Sequence, residues 1–390
     1  VIDGSRPAVF VDQTAAVAAL RIAPAAAALP GGPEPALPDE EGHTVNVLSG
    51  HGNQVAQAGS IGHVTFQLPQ PVEPPDSTPW LRVVWELAAR WPARFELRFH
   101  KPLAGQRIRT YLLVRAPSAD AAADLIVQLG QYLPRQLRGD PVVDRAVLGD
   151  IRAPFQPDPR GLAEIGKRVT ARRTSRGDAS TPWLAAVTPW RRPGRPAWPA
   201  LWAEMLAQPG AVVVSVGLLP FRVGDNLKIN LQARAAELGF LAQPGPSPVG
   251  SVFGRGRAPD QFAVAAAPVL ADAVGRYTDQ VFQIRVSVAT DRPLPDHLAH
   301  QLALAVSPGR SDAGLAGLPA RVLRPIGLEA LVAWRNLTEL GFDPLPGCLV
   351  QGLPPEAFGP VERTLSAIAS LDEAAAACQL PYHAERPLFE

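Results

Sequence analysis

Lysine is almost missing from this chain. Only Lys101, Lys167 and Lys228 occur among 37 basic residues; the other 34 are arginines. None of the three follows a suitable glycine, so no G-x-x-x-x-G-K-[ST] loop exists and nucleotide hydrolysis of that type is excluded. Cysteine is equally scarce. Cys348 and Cys378 are too few for a disulfide framework or a Cys-rich zinc site. Met205 is the one methionine and residue 1 is Val, which reads as a processed chain or a piece of a longer one. The longest apolar run, Ala211 to Phe221, is about half of the ~20 residues a spanning helix needs. The N-terminus has no basic stretch of the kind that opens a signal peptide.

Chemical constellations are also sparse. His297 and His300 lie one helical turn apart, but Asp296 is the only further ligand nearby, and a solvated helix face explains them. No G-x-S-x-G elbow supports a serine nucleophile. Cys378 sits in an Ala-rich helical stretch, where it reads as a small buried hydrophobe. These residues assign no catalytic group, no cofactor and no metal.

Other residue types are plentiful. Hydrophobic residues make up 47% of 390 and charged residues 19%, enough for sizeable cores in two or three domains. Forty-three prolines, about twice the usual share, exclude a coiled coil and keep helices short. Arginine for lysine amid abundant Ala and Pro is the mark of GC-rich coding. The net charge of +1 hides a pattern: −6 over 1–79, +4 over 80–159, +7 over 160–196 and −4 over 197–390.

Those segments serve as domain boundaries. Residues 1–79, with Ala/Pro/Gly-rich 23–38 and Pro-rich 68–79, read as an exposed acidic tail and linker holding short strands at His43–Leu48 and His63–Leu68. Helical spacing of Trp80, Leu81, Val84, Trp85 and Leu87 predicts a helix over 80–91, stopped by Pro92. Arg94 to His100 alternates as a half-buried strand, and a second strand follows over 107–115. Ser118 then caps a helix bearing Leu125, Ile126 and Leu129. Strand, strand and helix here make half of a ferredoxin-like unit. A comparable unit recurs over 197–390: helix 199–207, buried strand 211–219, helices 227–238 and 262–277, strand 281–288, helix 295–305, strand 321–324 and helix 327–340. Phe95-Glu-Leu-Arg-Phe99 echoes Phe282-Gln-Ile-Arg-Val286, which suggests internal duplication. Ser370 and Glu373 form an S-x-x-E capping box before a last helix. The expected fold is α+β, with two ferredoxin-like (split β-α-β) halves behind an irregular Pro/Ala-rich N-terminal tail.

One charge feature stands out. Residues 160–196 carry Lys167 and eight arginines against Glu164 and Asp178. Arg172, Arg173, Arg176, Arg191, Arg192 and Arg195 interleaved with Trp190 suit phosphate contacts plus base stacking, as a nucleic-acid-binding module would use. A solvated linker with docked tryptophans accounts for the same residues and outweighs that reading. Gly250 to Arg257 could cradle an anion through backbone N–H groups with Arg255 and Arg257. It lacks the preceding strand and lysine of a nucleotide site, and a mobile loop is the simpler reading. An enzyme of unknown chemistry, with a site assembled only in three dimensions, is the third class of function.

The order of these pieces resembles the N-terminal region of type IV secretion and conjugative-transfer ATPases, in the superfamily of FtsK- and HerA-like DNA pumps. Three sets of residues carry the likeness: Trp85-Glu-Leu87 leading into Phe95–Phe99 and Tyr111–Arg115; Val281–Val288 with its helix; and Ser370–Ala374 running to Leu380-Pro381-Tyr382. The likeness spans 80–385 and consists of hydrophobic patterns and a capping box. The family's phosphate-binding lysine and metal-binding aspartate have no counterpart here. The resemblance therefore implies a non-catalytic assembly or docking module, with the motor domain elsewhere. It implies contacts with other subunits or a motor domain of a translocation complex. It also implies a cytoplasmic place at the inner face of a membrane, reached only through a segment or partner outside this chain.

Overall fold

Part of the segment expected to be an exposed tail instead forms two strands of the main sheet. The computed structural model describes residues 6–12, 15–25, 76–105, 107–192, 197–246, 256–278, 280–309, 315, 317–382 and 387–389. These belong to one unit, 1–25 with 74–390; residues 26–73 make a unit of their own. The strands expected at 43–48 and 63–68, and most of the Pro-rich stretch, lie outside the described residues. Strands β1 (Val9–Val11) and β2 (Ala16–Pro24) come first. Residues Ala16 to Leu20 of β2 are all buried. Four alanines with weak strand preference, next to Ala/Pro low complexity, disguise this strand in the sequence.

Helix α1 (Thr78–Arg90) ends before Pro92, followed by β3 (Arg94–Lys101) and β4 (Arg109–Ala116). Helix α2 (Ala119–Gln131) starts at Ser118, whose hydroxyl accepts the Ala121 N–H; β5 (Leu137–Pro141) and α3 (Arg145–Arg152) follow. The segment expected as a basic linker holds β6 (Leu162–Lys167) and a hairpin of β7 (Val169–Arg173) and β8 (Trp183–Val187). Then come α4 (Trp198–Ala207), β9 (Val212–Arg222), α5 (Asp225–Leu241), α6 (Gln261–Arg276), β10 (Gln280–Thr290) and α7 (Asp296–Val306). The chain closes with β11 (Ala320–Leu323), α8 (Leu328–Thr338), α9 (Pro346–Val350), α10 (Pro360–Ala367), β12 (Ile368–Ser370) and α11 (Leu371–Ala377).

The main sheet is antiparallel at every pairing and runs β1-β2-β4-β3-β9-β10-β6-β11, with β5 also on β2 and β12 also on β10. Two runs of strand, helix, strand, strand, helix, strand are woven into it. The first is β2-α1-β3-β4-α2-β5, in spatial order β5-β2-β4-β3. The second is β6-α4-β9-β10-α7-β11, in spatial order β11-β6-β10-β9, interrupted by the β7–β8 hairpin after β6 and by α5 and α6 between β9 and β10. Their inner edges meet where β3 pairs with β9, from Phe95 opposite Leu218 to Lys101 opposite Val212. In this layout β3 corresponds to β9, and β10 corresponds to β4. The echo between Phe95–Phe99 and Phe282–Val286 joins strands that are not equivalent positions.

Side chains alternate between the faces of each strand. Phe95, Leu97 and Phe99 of β3 join Val212, Val214 and Val216 of β9 under α1, α2, α4, α7 and α11. Trp198 and Trp202 of α4 stack around Phe99 at 5.3 and 5.8 Å between ring centroids. The other face holds Leu113, Leu148 and Leu340 near one end and Leu162, Val213 and Leu337 near the other. The strand 94–100, expected to be half-buried, is thus enclosed on both faces: Glu96 and Arg98 are each 0% exposed.

Candidate interaction surface

The enclosed charges on β3 build a support for α8. A helix ends with carbonyls that have no partner within the helix. At the end of α8 four consecutive carbonyls each receive a different arginine. Arg98 donates Nη2 to Leu337 O at 2.6 Å, and Arg152 donates Nε to Thr338 O at 3.3 Å. Arg115 donates to Glu339 O, and Arg94 donates Nη1 to Leu340 O at 3.3 Å. All four arginines come from β3, β4 and α3, whereas α8 follows the second run of strands. Positive charge here also complements the negative end of the helix dipole.

Backbone geometry aims these carbonyls. Leu340 has φ +50°, the one described non-glycine residue in the left-handed region. The Gly341 N–H returns to Asn336 O at 2.7 Å, as in a Schellman turn. Glycine usually fills this position. Leucine is accepted because its side chain, 1% exposed, packs with Tyr111, Val17 and Leu148. Asn336 closes the next turn, donating to Asp343 O at 2.8 Å and accepting the Asp343 N–H at 3.0 Å.

Beneath α8 lies a polar row crossing the sheet. Glu96 accepts Arg98 Nε at 2.6 Å on one oxygen and Arg285 Nη2 at 2.6 Å on the other. The two arginines of the echoed pentapeptides therefore share one carboxylate. Gly217, opposite both Glu96 and Arg285, leaves room for the Arg285 guanidinium: a Cβ there would lie 3.2 Å from Nε and from Phe342 Cζ. Glu164 of β6 ends the row near Ser287, its pKa pushed up to about 7 by burial.

The outer side of α8 is different in kind. Ile326, Leu328 and Leu331 are 76%, 80% and 66% exposed. Isolated surface leucines are ordinary, but Ile326 just before the helix and Leu328 and Leu331 in its first turn put three exposed large aliphatics within six residues. Glu329 ties the same turn inward by accepting the N–H groups of Gly347 (2.6 Å) and Cys348 (3.0 Å) at the start of α9.

A second buried cluster fastens the C-terminal elements. Lys167 at the end of β6 reaches Glu373 Oε1 at 2.7 Å and donates to Tyr277 OH at 2.7 Å. Tyr277 donates to Glu373 Oε2 at 2.9 Å. The Trp190 and Ser370 N–H groups complete the carboxylate at 3.0 and 2.9 Å. The capping box read from Ser370 and Glu373 is present, and its glutamate also anchors β6 and α6. Burial lowers the Lys167 pKa against the pull of Glu373, and burial beside that carboxylate raises Tyr277.

The residues singled out by the basic stretch are dispersed. Arg172 and Arg173 are exposed on β7. Arg176 is buried, paired with Asp178 at 2.7 Å and donating to Gln243 O at 2.8 Å. Trp190 is 2% exposed, with Lys167 over its ring, so it shows no face to a base. Arg192 pairs with Asp76 at 2.9 Å, and Arg191 lies exposed beside it in the chain. Arg195 and Arg255 lie outside the described residues. Arg257 pairs with Asp178 at 3.3 Å. Both thiols are buried, each with its pKa pushed up to about 12, chiefly by burial. Among the described residues, no cluster of three or more His, Cys, Asp or Glu could hold a metal ion, and no helix is long and apolar enough to cross a membrane.

The α8 support was invisible as a site in the sequence. Arg94 and Arg98 occupy the polar positions of an alternating strand, which read as a solvent face. The one signal was the repeated arginine at Arg98 and Arg285. A scan against protein-family models matches none, and none of the curated proteins compared matches this chain.

Proposed function

We propose that this chain is a non-catalytic assembly or docking module of a DNA- or protein-translocating ATPase of the type IV secretion and conjugation kind, its motor domain lying outside the chain. Both halves of the body are ferredoxin-like, a reading supported by the two six-element runs and their matching strand orders. The observation that carries the docking role is α8: four arginines hold its carboxyl end while Ile326, Leu328 and Leu331 face outward. A partner subunit or motor domain would cover that apolar row. Burying three aliphatic side chains contributes about 1.5–3 kcal/mol each in favourable packing.

The test has a genetic and a physical part. The reading frame past Glu390, or an adjacent gene, should encode a nucleotide-binding core, and that core should co-elute with this chain in size-exclusion chromatography. Leu328→Asp with Leu331→Asp should abolish co-elution while circular dichroism stays unchanged. No motor in frame or adjacent, or co-elution indifferent to the double variant, defeats the proposal.

A further inference from the structure

Helix α5 is apolar on two opposite faces. Leu231, Leu238 and Leu241 point into the core shared with α6 and the β7–β8 hairpin. About half a turn away, Ile229, Ala233, Ala236 and Phe240 form a second row, spaced four, three and four residues apart. This row is open to solvent: Ile229 is 61% and Phe240 49% exposed, and both alanines are exposed. A helix that is apolar all round is ordinarily enclosed by other elements. The spacing is that of a seam along which one helix packs on another, and the central alanines permit a close approach.

One flank of the row is charged. There α5, the β7–β8 turn and the segment leading into α10 enclose a cleft of about 610 Å³, and Ala233 of the row is part of its lining. Four carboxylates line it, Asp178, Glu237, Glu356 and Glu362, against the single guanidinium of Arg234. Asp178 is answered from outside the cleft by Arg176 and Arg257. Arg234 is divided: Nη1 donates to Glu237 at 2.6 Å, and Nε lies 3.4 Å from Glu362. The Glu362 side chain is 6% exposed, yet its carboxylate accepts no hydrogen bond among the described residues. Glu356, on the exposed rim, pairs with no cation among them. Three glutamates thus share one arginine, and the cleft is short of positive charge.

We infer that α5 is the docking face for an amphipathic helix of a partner protein, one with an apolar seam and a row of arginine or lysine along one flank. The seam covers Ile229, Ala233, Ala236 and Phe240. The basic flank lies over the cleft and supplies the cations that Glu356 and Glu362 lack. Long basic side chains suit this arrangement, because their methylenes rest on the apolar row while the charged ends enter the cleft. A second copy of α5 fits less well. An antiparallel pair puts the two clefts on the same side of the seam, carboxylates toward carboxylates. None of these residues belongs to α8, so neither proposal rests on the other.

Fluorescence anisotropy on the full chain tests the site, with the fluorescein-labelled peptide Ala-Leu-Arg-Ala-Gln-Leu-Arg-Ala-Leu-Arg-Gln-Ala-Leu-Arg as probe. Its leucines repeat the seam spacing and its arginines share one flank. Saturable binding is expected, weakened about tenfold or more when the arginines become glutamates, or when the same residues are scrambled so that the seam is lost. Glu356→Lys should weaken the arginine peptide about tenfold. Ala233→Arg, at an exposed seam position, should abolish binding, with circular dichroism unchanged in both variants. Absence of saturable binding, equal binding of the arginine, glutamate and scrambled peptides, or indifference to either variant overturns the proposal. So does self-association of the chain alone that Ala233→Arg abolishes in sedimentation, because a second copy is then the occupant.

Discussion

At the residue scale, the two buried charge clusters respond differently to mutation. Lys167 and Glu373 are each fully enclosed, and removing one partner leaves the other charge unpaired in the core. Lys167→Met should therefore cost about 3–5 kcal/mol in urea denaturation. Adding Glu373→Leu should not restore stability, because the N–H groups of Trp190 and Ser370 then lose their acceptor. Recovery in the double variant would show that the pair, rather than the carboxylate as hub, matters. Glu164 governs a pH dependence of the opposite kind from an ordinary ion pair. Burial raises its pKa from 4.5 to about 7 against the pull of Arg285, while Glu329 on α8 pushes the same way as burial. The folded chain then holds a proton that the unfolded chain releases, so stability is greatest below pH 4.5 from this group and falls as pH rises toward 7. Glu164→Gln should flatten the thermal-melting profile between pH 5 and 7.5, a window worth of order 1–3 kcal/mol. Parallel profiles for the two proteins would refute the assignment.

At the element scale, α8 owes its position to foreign arginines rather than to its own propensity. Arg98→Met leaves Leu337 O without its donor but leaves Glu96 bonded to Arg285. Amide hydrogen exchange should then speed up along α8 and α9, with β9 and β10 still protected; uniform protection would show that packing alone holds the helix. Legibility in the sequence divides along the same line. The elements with strong local period, α1, α2, β10 and α7, were readable to within a few residues, as was the cap at Ser118. The β7–β8 hairpin, β5, α3, α10 and β12 went unread, and three further misses show why. Strand β2 reads as Ala-rich filler because its burial comes from α2 on one face and from Leu148, Ile151 and Leu340 on the other. Strand β6 was masked by the arginines that follow it. The arginines of β3 looked solvent-facing because nothing in residues 94–100 tells that a helix 240 residues later covers them. Period and capping are local; a second covering layer is not.

At the scale of the whole molecule, the two six-element runs share one sheet and one set of clamps. Seven residue pairs join β3 to β9, and α8, which follows the second run, is held by arginines of the first. Such halves have no independent boundary where few contacts cross. Proline excess fits the same picture, with Pro92 stopping α1 and Pro220 lying on β9 just past its last pair with β3. Cooperative melting follows: calorimetry of the full chain should give a single transition for the sheet, with calorimetric and van't Hoff enthalpies equal. Residues 160–390 expressed alone would bare the Val212–Leu218 edge of β9 and leave the last carbonyls of α8 without donors. An exposed, long apolar edge of this kind invites aggregation. The fragment should therefore be insoluble or lack fixed tertiary structure by near-ultraviolet circular dichroism. A soluble fragment with native-like spectra, or two separate calorimetric transitions, would show instead that each half carries its own stability and that the β3–β9 seam is a docking contact between autonomous units.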